Sequence, residues 1–342
     1  MRGCPEAGKL WPGSGTLGLM ISADQPPTIG TIGEFGLIKQ LTRRLVMPPA
    51  VSVGPGDDGA VFLINGSAVI STDMLIEGVH FRRDWSSAVD VGHKSVAVNV
   101  ADLEAMGASP VAMVLALGAP EDTDLSWVKE FMTGFREEAE TADVALVGGD
   151  LTGARELTIS VTVIGETAGR PPVLRSGARP GQVIAIRGRL GWAAAGLATL
   201  ARGFRSPRAA VDAQRQPQVP YGAGRQAALA GASAMIDISD GLLADLGHVA
   251  QASGVAIDLE SARFSIGDPV RAVAAALNAD PLAFVLTGGE DHALAAAFDP
   301  GRVPDNWDVV GRVLPVAEPD GPQVLVDGSP REGAGGWVHF RH

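Results

Sequence analysis

The sequence predicts a two-domain protein of the α+β class, and three observations lead there. With 342 residues the chain is long enough for two cores of ordinary size. Segments with helical spacing are interleaved with short β-like runs, several of which are free to pair antiparallel. A Pro/Gly/Arg-rich stretch at 167–181, TAGRPPVLRSGARPG, breaks the pattern near the middle and is the best candidate junction. The chain thus divides into an extension, 1–28, a first domain, 29–168, and a second domain, 169–342.

The extension is rich in Gly and Pro, lacks periodicity and holds a second methionine, Met20, so it is expected to be disordered or to precede the true start. Its apolar piece LGLMI is too short for a secretory signal. In the first domain Phe35, Ile38, Leu41 and Leu45 recur at helical spacing, and AVFLI and AVIST follow as strands. VDVGHKSVAVNVADLEAMG reads as a helix with Val96, Val100 and Leu103 on one face and Asn99 and Asp102 on another. PVAMVLALGAP is a strand, LSWVKEFMTGFREEAETA a helix, and VALVGGD and LTISVTVIGE are strands. The second domain repeats the alternation: strand QVIAIRG, helix GWAAAGLATLARG, a polar Arg/Gln-rich connection, helix GAGRQAALAGA and strand AMIDISD. Helix GLLADLGHVAQASG, strand VAIDLE, helix DPVRAVAAALNA and terminal strands complete it.

Composition narrows the function classes. The 27 basic and 39 acidic residues give a net charge of −12 with no basic cluster, which disfavours nucleic acid and anionic membranes as partners. Only Lys9, Lys39, Lys94 and Lys129 are lysines, and no G-x-x-x-x-G-K-[ST] occurs, so a P-loop is not the phosphate device. No apolar run reaches the length of a membrane span. The single cysteine, Cys4, rules out an intrachain disulfide framework and fits a reducing cytoplasm. The six histidines are scattered, without H-E-x-x-H, and no G-x-S-x-G is present, so zinc and serine hydrolases lack support.

What stands out is the repetition of carboxylates where apolar runs end. They occur at Asp57/Asp58 in VGPGDDGAVF, at Asp73, at Asp150, at Asp237/Asp240 and at Glu290/Asp291 in FVLTGGED, while Asp102 projects from a helix. Strand ends are where mixed sheets place ligand sites, and Mg²⁺ takes oxygen ligands that bridge protein carboxylates to substrate phosphates. Glycines beside the acids allow close approach to the backbone. The alternative is a set of solvated turns in an acidic protein.

At these residues the sequence resembles the thiamine-monophosphate kinase family, which phosphorylates thiamine monophosphate to thiamine diphosphate with ATP. The resemblance rests on GEFGLI, GPGDDGAV, STDMLIEGVHF, KSVAVNVADLEAMGASP, LVGGDLT, LRSGARPGQ, IDISDGLLADLGH and LTGGEDHAL, in order over nearly the whole chain after residue 28. It implies the aminoimidazole ribonucleotide synthetase-like fold, with a β-rich first domain that dimerises and an α+β second domain. It implies Mg²⁺ contacts from Asp58, Ser71, Thr72, Asp73, Asp102, Asp150, Asp237 and Asp240, and ATP contacts from Gly149, Asp150, Arg175 and Ser239. Thiamine monophosphate would meet His80, Glu290 and Trp337. No covalent nucleophile is implied, because phosphoryl transfer needs positioning and charge neutralisation. One departure is visible: His292 and Ala293 follow G-G-E-D where the family usually has Tyr-Glu. Another ATP-using synthetase of the same superfamily, or a non-catalytic nucleotide-binding relic, remains open from the sequence.

Overall fold

The structure is a computed structural model that describes residues 26–43, 45–56, 59–316, 321–331 and 336. Residues 1–25 and the expectation of a disordered extension or later start therefore lie outside the described residues, as do Asp57, Asp58 and Trp337. Pro27 and Thr28, assigned from the sequence to the extension, adjoin the first domain. The Leu125 N–H donates to the Pro27 carbonyl at 2.9 Å, and the Ile29 N–H donates to the Thr123 carbonyl at 3.0 Å.

The first domain runs α1 (Ile29–Ile32), α2 (Glu34–Thr42), β1 (Val51–Val53), β2 (Val61–Phe62), β3 (Ala68–Ile76), α3 (Ala88–Ala105), β4 (Ser109–Ala119), α4 (Leu125–Thr141), β5 (Ala145–Gly153) and β6 (Thr158–Glu166). Strands β1 and β2 pair alone. The other four form a sheet in the order β3-β6-β4-β5, antiparallel except for the β4/β5 pair. Helix α3 starts on a capping box: Ser87 Oγ accepts the Asp90 N–H at 3.2 Å, and the Asp90 carboxylate accepts the Ser87 N–H at 2.8 Å. Its apolar stripe, Val96, Val100 and Leu103, is fully buried with Phe131 and Phe135 of α4 and Val161 and Val163 of β6. Each such side chain contributes on the order of 1.5–3 kcal/mol by leaving water. The two helices cross closely because Gly134 carries no side chain; a Cβ there would lie 2.0 Å from the Val89 carbonyl oxygen.

The second domain runs β7 (Val183–Arg187), α5 (Trp192–Leu200), α6 (Arg208–Arg215), α7 (Ala223–Ala230), β8 (Ala234–Asp237), α8 (Leu242–Ser253), β9 (Ala256–Leu259), α9 (Asp268–Ala276), α10 (Pro281–Thr287), β10 (Leu294–Phe298), β11 (Asp308–Leu314), β12 (Gln323–Val326) and β13 (Ser329–Pro330). Among the described residues its seven strands are ordered β13-β12-β9-β11-β7-β10-β8, and β12 runs parallel to β9. Alternate residues serve two cores: Ile184, Ile186 and Ile236 pack with Leu242 and Leu246 of α8, while Ala185, Met235 and Phe298 pack with Ala227 of α7 and with Trp307. Burial on both faces explains why these strands read as unbroken apolar runs.

Helix α3 also joins the domains. The Glu104 carboxylate accepts the Gly222 N–H at 2.7 Å and the Gly224 N–H at 2.8 Å, satisfying donors at the start of α7. Backbone meets backbone there: a Cβ on Gly224 would lie within 1.9 Å of the Glu104 carbonyl oxygen.

Three sequence expectations need correction. FVLTGGED is not a strand: Pro281–Thr287 is helix α10, begun by Asp280, whose carboxylate accepts the Leu282 N–H at 2.9 Å, and by proline in the first turn. The period of a seven-residue apolar run does not separate helix from strand; the Asp-Pro start does. The polar connection after α5 contains α6, whose Ala210, Val211 and Ala213 are buried on one face of an otherwise polar segment. Asp73 and Asp150 lie within β3 and β5 rather than at their ends, because both strands continue past the polar residue.

Candidate active site

The predicted residues are organised around α3. Pleating divides β3 into two sets: Ser71 and Asp73 share a register face with buried Val163 and Val161, toward α3, whereas Thr72 lies on the other face. Ser71 Oγ donates to Asp102 Oδ2 at 2.5 Å, and the Asp73 N–H donates to Asn99 Oδ1 at 2.8 Å. Asn99, buried in α3, is fixed in turn by donating Nδ2–H to the Ser95 carbonyl at 2.8 Å. The Thr72 hydroxyl donates instead to the Val161 carbonyl and accepts from Thr162, each at 3.0 Å.

The second domain brings Asp237 to the same region at the end of β8. Burial pushes the Asp102 carboxyl up to about 6, with the charges of Asp237 and then Asp73 adding to the rise and the Ser71 hydrogen bond opposing it. Asp237 Oδ2 also lies 3.1 Å from His292 Nδ1. Burial acts to lower the His292 imidazole, but the hydrogen bond and charge of Asp237 outweigh it and raise its pKa. Carboxylates from both domains thus act on one another, with the Asp237 charge felt at Asp102 and the His292 imidazole beside Asp237.

Two buried acids hold the adjoining turns. Asp245 Oδ2 accepts the Asp240 N–H at 3.1 Å and the Gly241 N–H at 3.0 Å, and its carboxyl is pushed up to about 7, mainly by burial. The Asp291 carboxylate accepts the Gly191 N–H at 2.5 Å and the Ala193 N–H at 2.8 Å at the start of α5, and burial pushes it up to about 7 as well. Between these turns the Glu290 N–H donates to the Ser239 carbonyl at 2.7 Å. Glu290 and His292 have φ of 65° and 50°, left-handed values that side-chain-bearing residues adopt at some energetic cost. His80 follows β3, its Nδ1 accepting the Ile76 N–H at 3.0 Å.

Asp150 sits elsewhere. Register places it level with Ala116, Ser160 and Met74, the face opposite Asp73. With Gly148 and Gly149 it lines a cavity of about 270 Å³ against α2, where Ile38, Leu41 and Met132 supply apolar walls. Arg175 lies exposed in the junction, its carbonyl accepting from Ser253 Oγ at 3.1 Å; among the described residues no hydrogen bond or ion pair joins its guanidinium to the carboxylates.

Residues 56–167 match the family AIR synthase related protein, N-terminal domain. A thiamine-monophosphate kinase of Mycobacterium tuberculosis is 48% identical over 321 residues, covering 93% of this chain and 95% of its own. The chain belongs to the thiamine-monophosphate kinase family. Among solved family structures, AaThiL complexed with AMPPCP and TMP matches with a TM-score of 0.75 at 32% identity, covering 90% of this chain and 97% of that one. The thiamine-monophosphate kinase of Stenotrophomonas maltophilia K279a gives the same TM-score and identity over 87% of this chain and 97% of its own.

Within this kinase family member, the structure adds Lys94, Asn99 and His292 to the residues the sequence singles out for the site. Each left a trace in the sequence: Lys94 interrupts an apolar helix as one of four lysines, Asn99 precedes Asp102 by three, and His292 stands where the family pattern has Tyr. Among the described residues no three carboxylate or imidazole groups stand close enough to hold a metal by themselves. The donor set still fits a hard cation: oxygen ligands predominate, and the Asp102 carboxyl is raised first by burial and then by the neighbouring charges of Asp237 and Asp73.

Proposed function

We propose that this chain transfers the terminal phosphoryl group of ATP to the phosphate of thiamine monophosphate, forming thiamine diphosphate in the last step of its biosynthesis. The observation that carries the reading is the convergence of Ser71, Asp73 and Asp102 from the first domain with Asp237 from the second. Family membership, together with a related chain complexed with AMPPCP and TMP, supports the choice of substrates.

In this reading Ser71, Thr72, Asp73, Asp102, Asp237 and Asp240, with Asp58, hold Mg²⁺, and Asp150, on the opposite face of the sheet, holds Mg²⁺ at the cavity beside β5. The ions, when bound, neutralise phosphate charge as it is redistributed in transfer. Thr72 contributes through its backbone, since its hydroxyl is engaged on the far face of the sheet. Gly149, Asp150, Arg175 and Ser239 hold the nucleotide, and the apolar cavity beside β5 suits its base. His80, Glu290 and Trp337 hold thiamine monophosphate. For Trp337, outside the described residues, the support is the family resemblance. The acceptor is an anionic phosphate oxygen already, so the residues need to align it in line with the leaving group rather than remove a proton.

We further propose that domains 29–168 and 169–342 complete one site per chain and that the first domain forms a homodimer. Ile70 and Met74 are 66% and 48% exposed on the sheet face away from α3, an apolar edge that a second copy would cover. A cytoplasmic location is proposed from the composition; among the described residues no single helix is long and apolar enough to cross a membrane. The test is an ADP-release assay coupled to chromatographic detection of product. Thiamine diphosphate should form only with thiamine monophosphate, ATP and Mg²⁺ together; ADP release without thiamine diphosphate would overturn the assignment.

A further inference from the structure

Lys94 is only 2% exposed, yet none of the roles above uses it. A buried ammonium is strongly unfavourable unless its donors are met. Lys94 Nζ donates to Glu290 Oε1 at 3.0 Å, to the His80 carbonyl at 3.2 Å and to the Gln214 carbonyl at 3.5 Å. One cation on α3 therefore gathers the turn after β3, the end of α6 and the turn before β10. Two of its three partners belong to the residues assigned to thiamine monophosphate. Glu290 is pinned from its other side as well, through its N–H on Ser239 and its left-handed backbone. Its side chain remains 35% exposed, so the carboxylate is anchored and still accessible.

We propose that Lys94 is a positioning residue for the acceptor site: it holds Glu290 through one carboxylate oxygen, leaving the other to receive thiamine monophosphate, and it anchors the His80 turn with the same ammonium. This rests on the function proposed above. A glutamate with free torsions would have to be ordered at each binding event, and fixing it beforehand removes that entropy loss. The ammonium also offsets the Glu290 charge, which lets a carboxylate stand beside a substrate that carries an anionic phosphate. A compact ammonium meets three acceptors arriving from three directions, a task for which the planar fork of arginine is poorly shaped.

The test is a double-mutant cycle with Lys94→Gln, Glu290→Gln and the pair, reading dissociation constants for thiamine monophosphate and AMPPCP together with kcat, KM and Tm. Glutamine removes the charge while keeping a polar amide, one bond short of the ammonium position. K94Q should weaken thiamine monophosphate binding and raise its KM about tenfold, with kcat within about threefold and AMPPCP affinity within about twofold. The double variant should bind thiamine monophosphate no more than about twofold worse than E290Q, because the effect of Lys94 passes through Glu290. Multiplying losses in the double variant, or equal losses for both ligands in K94Q, would overturn the proposal. If K94Q is not recovered folded, Lys94→Arg is read by the same two criteria. Wild-type protein that turns over thiamine monophosphate while K94Q binds it normally refutes the role of Lys94 alone; wild-type protein without that turnover refutes both readings.

Discussion

Replacing Asp102 by Asn should make the metal-free protein more stable while removing its function. The Asp102 carboxyl is raised from 3.8 to about 6, first by burial and then by the charges of Asp237 and Asp73. A shift of about 2 units at about 1.4 kcal/mol each sets a ceiling of about 3 kcal/mol on what the ionised form takes from folding stability. Asparagine shares part of the desolvation but carries no charge, and its amide oxygen can still accept from Ser71 Oγ. A net gain of about 1–3 kcal/mol follows, or roughly 2–12 °C in Tm at about 2–4 °C per kcal/mol.

The sign with pH is fixed by linkage. Because the folded-state value is raised, the folded protein binds the proton more tightly than the unfolded chain, so the penalty is complete above about pH 6 and fades as pH falls toward 4. Thermal unfolding in EDTA between pH 4 and 8.5 should therefore show D102N ahead of wild type at the alkaline end and level with it at the acid end. Millimolar Mg²⁺ should raise the wild-type Tm and leave the variant unmoved, with turnover reduced by at least roughly 10²-fold. A variant no more stable than wild type at pH 8 without metal, or a gain that persists unchanged at pH 4, would refute the reasoning.

Gly149→Ala should be far more damaging than Gly148→Ala, because a Cβ at 149 would lie 2.0 Å from the Leu115 carbonyl oxygen whereas one at 148 meets nothing closer than 3.8 Å. A fall of several degrees in Tm for the first and about 1 °C or less for the second checks this, on the scale of about 1–3 kcal/mol for overpacking. Ile70→Lys combined with Met74→Lys should convert the proposed homodimer to monomer by light scattering, since both side chains are exposed on the same face of β3; a wild-type protein that is already monomeric at micromolar concentration removes the proposal. Trp337→Ala should raise KM for thiamine monophosphate roughly tenfold with KM for ATP nearly unchanged, as loss of stacking on a cationic ring predicts. Equal changes in both, or lower stability alone, would take Trp337 out of the site.

Helices α3 and α4 and strands β4 to β9 are largely legible in the sequence, because burying a stripe or a face imposes a period on the residues that do it. Helix α10 escapes that rule, since it is only seven residues long, with Val285 and Leu286 alone buried, and its apolar run has no polar face to set a period. Helix α6 escapes it for the opposite reason, three buried apolar residues in a polar stretch being too few. The acids proposed for the site are visible as residue types beside glycines, and the resemblance orders them into roles. Which acids meet is not visible in the sequence. Ser71 and Thr72 are adjacent in sequence and lie on opposite faces of β3, and Asp73 and Asp150 sit on opposite faces of one sheet. Lys94 and Glu290, separated by 196 positions, meet at 3.0 Å. Local sequence determines what each segment can become because periodicity and capping act over a few residues. Partnership across the two domains depends on strand register and on how α3 is seated against both cores, and only the tertiary structure decides those.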